Sequence, residues 1–540
     1  MKTSTQLLVI LLVCICTFFA DLQEFYPDIM EMRNLITARE MISEGTWWNT
    51  TLNFEPRLEK PPFPTWLTAI AALLQGGFDS LYILRIPSAL VSTLMVFFFY
   101  GFCRELSKEK YLPFIGAIVM ATSLLIIQQA RVNSWDVYTH VFMLGSLWQF
   151  MVVRRNKKLA NVVWAIVFFA LSIYSKGPVS LYALWLPFMI ALGLADNLDF
   201  IKKYKAQFIL AIFLALLLGF SWNIYMILFQ PEASEFVIDK ETNSWMNRHV
   251  RPFYFYLHFA IYIGIWAIYM ISTFFYKYAA ARINSFGNYK FMIYWVLLVV
   301  LFLSVIPTKK ERYLLPALIP MALIVTFQIY SIWKAFKGKY DTKWDRLLVN
   351  ATSILLYSIA VALPFALLFA FSERLDSRSV IFTAIIGTIG IIGFVLWKKR
   401  NIESNFIVPV IISCIFCIGL LPKLSEIVYN NDDFRELAEI QEIENYDALD
   451  FYWQGNDIDV KVMYGVGKKV FPLNAMDIMD ESKCPLVFIS FVPIEEIFGE
   501  RYLKSHSLKF LGKYDFNREE TRAKLYLNQI DFKSVSSNQD

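Results

Sequence analysis

Charge is scarce in this chain. Only 18% of its 540 residues are Asp, Glu, Lys or Arg, 57% are hydrophobic, and the mean hydropathy is +0.47. Soluble domains carry roughly a quarter charged residues, so the deficit excludes an ordinary soluble enzyme and predicts a polytopic membrane protein. Cysteine is also sparse. Five of the six cysteines (Cys14, Cys16, Cys103, Cys414, Cys417) lie in or beside apolar runs and Cys484 stands alone, which excludes a disulfide framework. Cys414-Ile-Phe-Cys417 has metal-like spacing but no histidine beside it, and reads as membrane packing. Internal repeats and low-complexity tracts are absent, and a net charge of +5 gives no reason to expect a nucleic-acid partner.

What the chain does have is a long series of apolar runs. Residues 7–20 are short enough for a signal peptide, but the multispan series needs an oriented start, so they read as a first transmembrane helix. Further spans fall near 81–103, 111–128, 137–153, 159–174, 178–195, 206–229, 254–275, 291–306, 313–334, 348–370, 379–397 and 405–422, about thirteen in all. Residues 65–75 are apolar but too short to cross, and predict an interfacial or re-entrant segment. Lysine and arginine cluster in alternate loops, at 104–110, 154–158, 202–205, 334–343 and 398–400, which the positive-inside rule makes cytoplasmic. The loops 21–80, 129–136, 175–178, 230–253, 308–312 and 371–378 then face outward, together with the tail. The expected organisation is an all-α membrane domain over 1–422 and a small α/β or α+β domain over 423–540. In the latter, Val460–Tyr464 and Pro485–Phe491 read as strands and Asp432–Ile443 as helical.

The outer loops hold the uncommon residues. Residues 27–43 keep a helical apolar stripe (Ile29, Met32, Leu35, Ile36, Met41, Ile42), with Pro27 suited to the first helical position and Gly45 as the stop. The stretch Glu55–Pro64 follows, with four prolines that forbid a helix. Asp28, Glu31, Glu59 and Asp136 supply carboxylates. Arg33, Arg57, Lys60, Lys176, Lys309, Lys310 and Arg312 supply cations on the face where such residues should be rare. That combination suits a ligand with a phosphate to be held and a hydroxyl to be deprotonated. Asp28 and Glu31, three apart, share one helix face, while Lys309 and Lys310 read as solvated or headgroup-binding cations.

With these residues in place, the chain resembles the polyprenyl-phosphate-sugar-dependent glycosyltransferases of the GT-C membrane superfamily. In pattern it is similar to the aminoarabinose transferases of lipid A and the protein O-mannosyltransferases. The resemblance covers roughly residues 5–335 and rests on Glu31-Met32-Arg33, Arg57-Leu58-Glu59-Lys60-Pro61-Pro62, Trp135-Asp136, Lys176-Gly177 and Arg312-Tyr313-Leu-Leu-Pro316. It implies a bundle of the GT-C type with periplasmic amphipathic helices, in a bacterial inner membrane, its active site and C-terminal domain periplasmic. It also implies inverting transfer of a sugar from polyprenyl phosphate to a lipid, glycan or protein acceptor. The family's Asp-Glu pair is Met30-Glu31 here, with Asp28 two residues earlier, so Glu31 is the expected base and Asp28 the second choice. Asp136 matches the second family carboxylate. Lys60 matches the lysine that grips the lipid phosphate and Arg33 its neighbour; Arg57, Lys176, Arg312 and Tyr313 complete the expected donor contacts. Glu59 and His249 match positions that hold a divalent metal in one branch of the family.

The alternatives are a transporter or a flippase of lipid-linked sugars. A transporter places ionisable groups within its spans, where each costs at least ~2.5 kcal/mol, whereas here they gather on one face. An asparagine-linked oligosaccharyltransferase would carry Trp-Trp-Asp in its soluble domain; Trp47-Trp48-Asn49 lacks the acid and lies elsewhere.

Overall fold

The computed structural model describes residues 1–195, 198–424, 427, 431, 434–473, 484–499, 505–517 and 524–532. They form two units: Met1–Phe25 with Leu58–Leu424, and Tyr26–Arg57 with the chain from Ser425 onward. The first outer loop is therefore divided. The sequence pattern puts all of 21–80 with the membrane domain, but 26–57 packs with the C-terminal segment.

Every span expected from the sequence falls on a helix of the first unit. By length and composition six helices are able to cross a membrane among the described residues, or eight if the bent pairs Leu112–Ala121 with Leu124–Ala130 and Lys205–Gly219 with Ser221–Phe229 are each one span. Others, such as Tyr289–Val305 and Ser404–Gly419, are apolar but shorter. The helix Leu315–Gly338 is buried along its apolar length and forms the centre. Lys343–Phe371 and Ser377–Lys398 instead expose their apolar faces, with Phe369 95% exposed. Water would not tolerate such surfaces, so the chain is an integral membrane protein. The apolar run at 65–75 is the helix Phe63–Gln75, closed by Gly76 at φ 88.

Ion pairs sort the unit into two faces. Asp136 meets Lys176 and Arg312, Lys60 meets Glu241, and Arg378 meets Asp21, so the loops expected outside join one another. Arg155 pairs with Glu105, Lys334 with Glu109 and Lys337 with Glu403, which joins the basic loops at the opposite helix ends. Among these pairs none links the two sets.

The second unit is α/β. Its sheet runs β4-β3-β5-β7-β6, where β3 is Asp450–Gln454, β4 Val470–Leu473, β5 Leu486–Ser490, β6 His506–Asp515 and β7 Lys524–Phe532. β3 is parallel to both β4 and β5; β7 is antiparallel to β5 and β6. Val460–Val466 is a helix, not the strand its β-branched residues suggest. Val462 and Val466 are buried four apart, and Gly467 closes it in the left-handed region. Asp432 and Asp433 lie outside the described residues, and of Asp432–Ile443 only Leu437–Glu442 coils, as a 3-10 turn.

In the same unit the helix Ile29–Ser43 starts two residues later than Pro27 predicts. Asp28 is its N-cap, accepting a 2.7 Å hydrogen bond from the Glu31 backbone N–H. A hairpin follows, β1 (Thr51–Leu52) and β2 (Glu55–Pro56), turned by Asn53 and Phe54 at φ 56 and 64. The Asn53 side chain exchanges hydrogen bonds with the Val470 backbone at 2.8 and 2.9 Å, and Arg39 donates to the Met463 carbonyl at 3.2 Å. These bonds attach 26–57 to the sheet unit.

Candidate active site

The helices Trp135–Asn156 and Leu159–Lys176 are antiparallel neighbours joined by a two-residue turn at Lys157-Lys158. A hairpin of helices places the first residues of one beside the last residues of the other, so Asp136 and Lys176 meet although 40 residues apart. Each also suits its own helix end: a carboxylate in the first turn and a cation in the last complement the macrodipole. One turn deeper the helices are latched. Thr139 Oγ1 donates to the Ser172 carbonyl at 2.8 Å, and Ser172 Oγ to the Thr139 carbonyl at 2.5 Å.

Arg312, in the 3-10 turn Glu311–Leu314, brings its Nε to 3.6 Å from the other Asp136 oxygen. The Tyr313 ring completes the group: Lys176 Nζ lies 5.2 Å and the Arg312 guanidinium carbon 5.8 Å from its centroid. Asp136 is buried, so two cations face one carboxylate where water is scarce.

Beside it in this unit, two adjacent residues of opposite charge meet two others in the same order. Lys60 pairs with Glu241 at 3.1 Å and Glu59 with Lys240 at 2.9 Å. Lys240 and Glu241 belong to the helix Pro231–Asn247. The sequence reading missed this helix, although Pro231 at its first position and Glu232 in its first turn are start signals. His140 was missed as well; it is buried one turn beyond Asp136 on the same helix.

Other expected site residues are placed differently. Lys309 is not solvated. It is buried, and its ammonium donates to the carbonyls of Ile306 at 2.6 Å, Arg251 at 3.0 Å and Pro307 at 3.4 Å. It ties the loop 306–310 to 248–252, alongside the Arg251 N–H to Pro307 carbonyl and Lys309 N–H to His249 carbonyl bonds. His249 is exposed, and Lys310 foremost, with Arg248, Arg251 and Arg312, holds its imidazole below the ordinary range. Glu59 is engaged by Lys240, and among the described residues no three His, Cys, Asp or Glu side chains are placed to share a metal. A histidine ringed by cations and a carboxylate already on a lysine do not fit a divalent ion.

In the second unit Glu31 is buried at the third position of its helix, and Asp28 is exposed with one oxygen on the Glu31 N–H. Arg33 is half-buried, and its Nε–H has no hydrogen-bond partner among the described residues. Arg57 is buried. Its guanidinium donates to Thr37 Oγ1 at 3.2 Å, and its backbone exchanges bonds with Thr50, which braces the hairpin against the helix.

Residues 59–223 match the family model of dolichyl-phosphate-mannose-protein mannosyltransferases. An undecaprenyl phosphate-alpha-4-amino-4-deoxy-L-arabinose arabinosyl transferase of Pseudomonas fluorescens is 25% identical over 354 residues, 64% of this chain and 57% of that protein. An uncharacterized protein of Aquifex aeolicus is 25% identical over 340 residues, 62% of this chain and 64% of its own. The matched segment thus spans less than two thirds of either relative. Crystal structures of ArnT from Cupriavidus metallidurans superpose with TM-scores of 0.69, bound to undecaprenyl phosphate, and 0.71, in the apo state. Each covers 97% of this chain and at least 97% of ArnT, at 13% and 14% identity. The chain has the fold of ArnT.

Proposed function

We propose that this protein is an integral-membrane glycosyltransferase that moves a sugar from a polyprenyl-phosphate carrier to a hydroxyl or phosphate acceptor. It works at the outer, periplasmic face of a bacterial inner membrane. The observation that carries the reading is the Asp136–Lys176–Arg312–Tyr313 group, two cations and an aromatic ring gathered on one buried carboxylate at the helix ends opposite the polybasic loops. The Pseudomonas relative is named an undecaprenyl phosphate-alpha-4-amino-4-deoxy-L-arabinose arabinosyl transferase, and the Cupriavidus protein is bound to undecaprenyl phosphate.

In the reaction the acceptor oxygen attacks the anomeric carbon as the carbon–oxygen bond to the carrier phosphate breaks, with inversion. The phosphate leaves with the electron pair, and the acceptor proton passes to a carboxylate. Lys176, Arg312 and Lys60 receive the charge that grows on the departing phosphate. Asp136, held by two cations, is a poor base. It acts as a positioning residue that keeps Lys176 and Arg312 aimed. Glu31 is the base, because Asp28 is committed to capping its helix.

The test uses purified protein in detergent with polyprenyl-phosphate sugars extracted from the source membranes. Mass spectrometry follows loss of sugar-linked lipid and release of polyprenyl phosphate, with membrane lipids and envelope proteins offered as acceptors. Release by the wild type that disappears in Glu31→Gln supports the reading. No donor consumption with any acceptor, from folded protein, overturns it in favour of transport or flipping.

A further inference from the structure

The membrane unit has a cavity of about 310 Å³ at the helix ends opposite Asp136. It lies between the helices Trp135–Asn156, Leu159–Lys176 and Lys205–Gly219, and its walls are apolar, including Leu147, Phe150, Ala165, Phe169 and Ala211. From Tyr204 at its mouth to Ala215 at its floor is eleven residues of helix, roughly 16 Å at 1.5 Å per residue. That is about half of a ~30 Å hydrocarbon core, the depth of one leaflet.

The mouth is basic. Lys157 lines it, with its ammonium 5.6 Å from the centroid of the Tyr204 ring, and Lys203 lies 5.8 Å from the same ring. Both lysines are exposed, and neither has a carboxylate partner among the described residues. Lys202 by contrast is matched by Asp199 at 3.9 Å. Two ammonium groups that no described carboxylate meets, above an apolar slot of leaflet depth, complement one molecule: a phosphate headgroup without a neutralising amine, carrying an acyl chain. Orientation by the positive-inside rule accounts for lysines here, but not for the slot beneath them.

We propose that this cavity binds an anionic glycerophospholipid of the cytoplasmic leaflet. One acyl chain lies between the three helices, and the phosphate rests on Lys157 and Lys203. The site is on the face away from the sugar-transfer residues and stands whether or not the transferase reading holds.

Delipidated full-length protein in detergent is titrated with dioleoyl phosphatidylglycerol and, separately, dioleoyl phosphatidylcholine, and bound lipid is counted by native mass spectrometry. The expected result is one phosphatidylglycerol held in preference to phosphatidylcholine, with affinity falling about fivefold for each of Lys157→Ala and Lys203→Ala. Ala211→Phe, which fills the slot and leaves the lysines, should remove the bound lipid. Both lysines are exposed, so their variants test the headgroup contact even if Ala211→Phe does not fold. Equal binding of the two lipids, or unchanged affinity in both lysine variants, overturns the proposal. So does displacement of phosphatidylglycerol by equimolar polyprenyl phosphate, which would make the slot a carrier site.

Discussion

Lys176, the last residue of one helix, and Asp136, the second residue of the helix before it, form a buried ion pair that Arg312 shares from a third segment. Removing one member of a buried pair leaves a charge without its counter-ion, at a cost of about 3–5 kcal/mol. Lys176→Met should therefore lower the melting temperature in detergent as well as turnover. The double variant Asp136→Asn/Lys176→Met should be more stable than the sum of the single losses predicts, since both single variants break the same pair. Additive losses would show that the two side chains do not depend on each other.

Glu31 and Asp28 separate by the same logic. Asparagine caps a helix about as well as aspartate, so Asp28→Asn should keep both the fold and turnover within about twofold of wild type. Glu31→Gln, nearly isosteric, should lose about 10²–10⁴ in kcat with the melting temperature little changed, if it removes the base. The reverse order of effects in a donor-release assay would make Asp28 the base.

Metal dependence can be read directly. Glu59 is taken by Lys240, and Lys310 and its neighbours discourage any further positive charge at His249. Dialysis against a chelator should leave donor release within about twofold of the untreated rate, because neither Glu59 nor His249 suits a Lewis-acid site. Loss on chelation and recovery with a divalent cation would require ligands other than these two.

Much of this was legible in the chain. Apolar runs near 20 residues mark membrane helices because a bilayer imposes that length, and the lysine-rich loops give the alternation of faces. Of the cations that break the rule, the structure gathers Lys176 and Arg312 on Asp136 and sets Lys60 on Glu241. What stayed hidden depends on distant packing. Val460–Tyr464 reads as a strand because its β-branched residues fit a pleat, yet Val462 and Val466 are buried on one side of a helix. Nothing near residues 26–57 shows that Asn53 and Arg39 will hydrogen-bond to backbone beyond residue 460. The stretch 230–253 reads as a loop, whereas Lys240 and Glu241 lie on the helix Pro231–Asn247. Lys309 was misjudged since three inward carbonyls leave no local trace in a sequence.

That last residue separates structure from catalysis. Lys309 holds three carbonyls of two loops, and Lys60 is half-buried on a single carboxylate, Glu241. Lys309→Met leaves these acceptors without their donor, at about 1–3 kcal/mol for an unsatisfied buried group, so it should lower the melting temperature and raise protease sensitivity near 248–252. Lys60→Ala strips one partner from a part-exposed pair, worth about 0–1 kcal/mol, and should leave melting almost unchanged. If Lys60 holds the carrier phosphate, its loss should instead raise the KM for the donor about 10–100-fold, as expected for one charge-assisted hydrogen bond. The paired measurement of melting and donor KM decides between the roles. A Lys60→Ala protein with normal KM would take Lys60 out of the donor site, and a Lys309→Met protein with normal melting would free Lys309 to be a ligand contact.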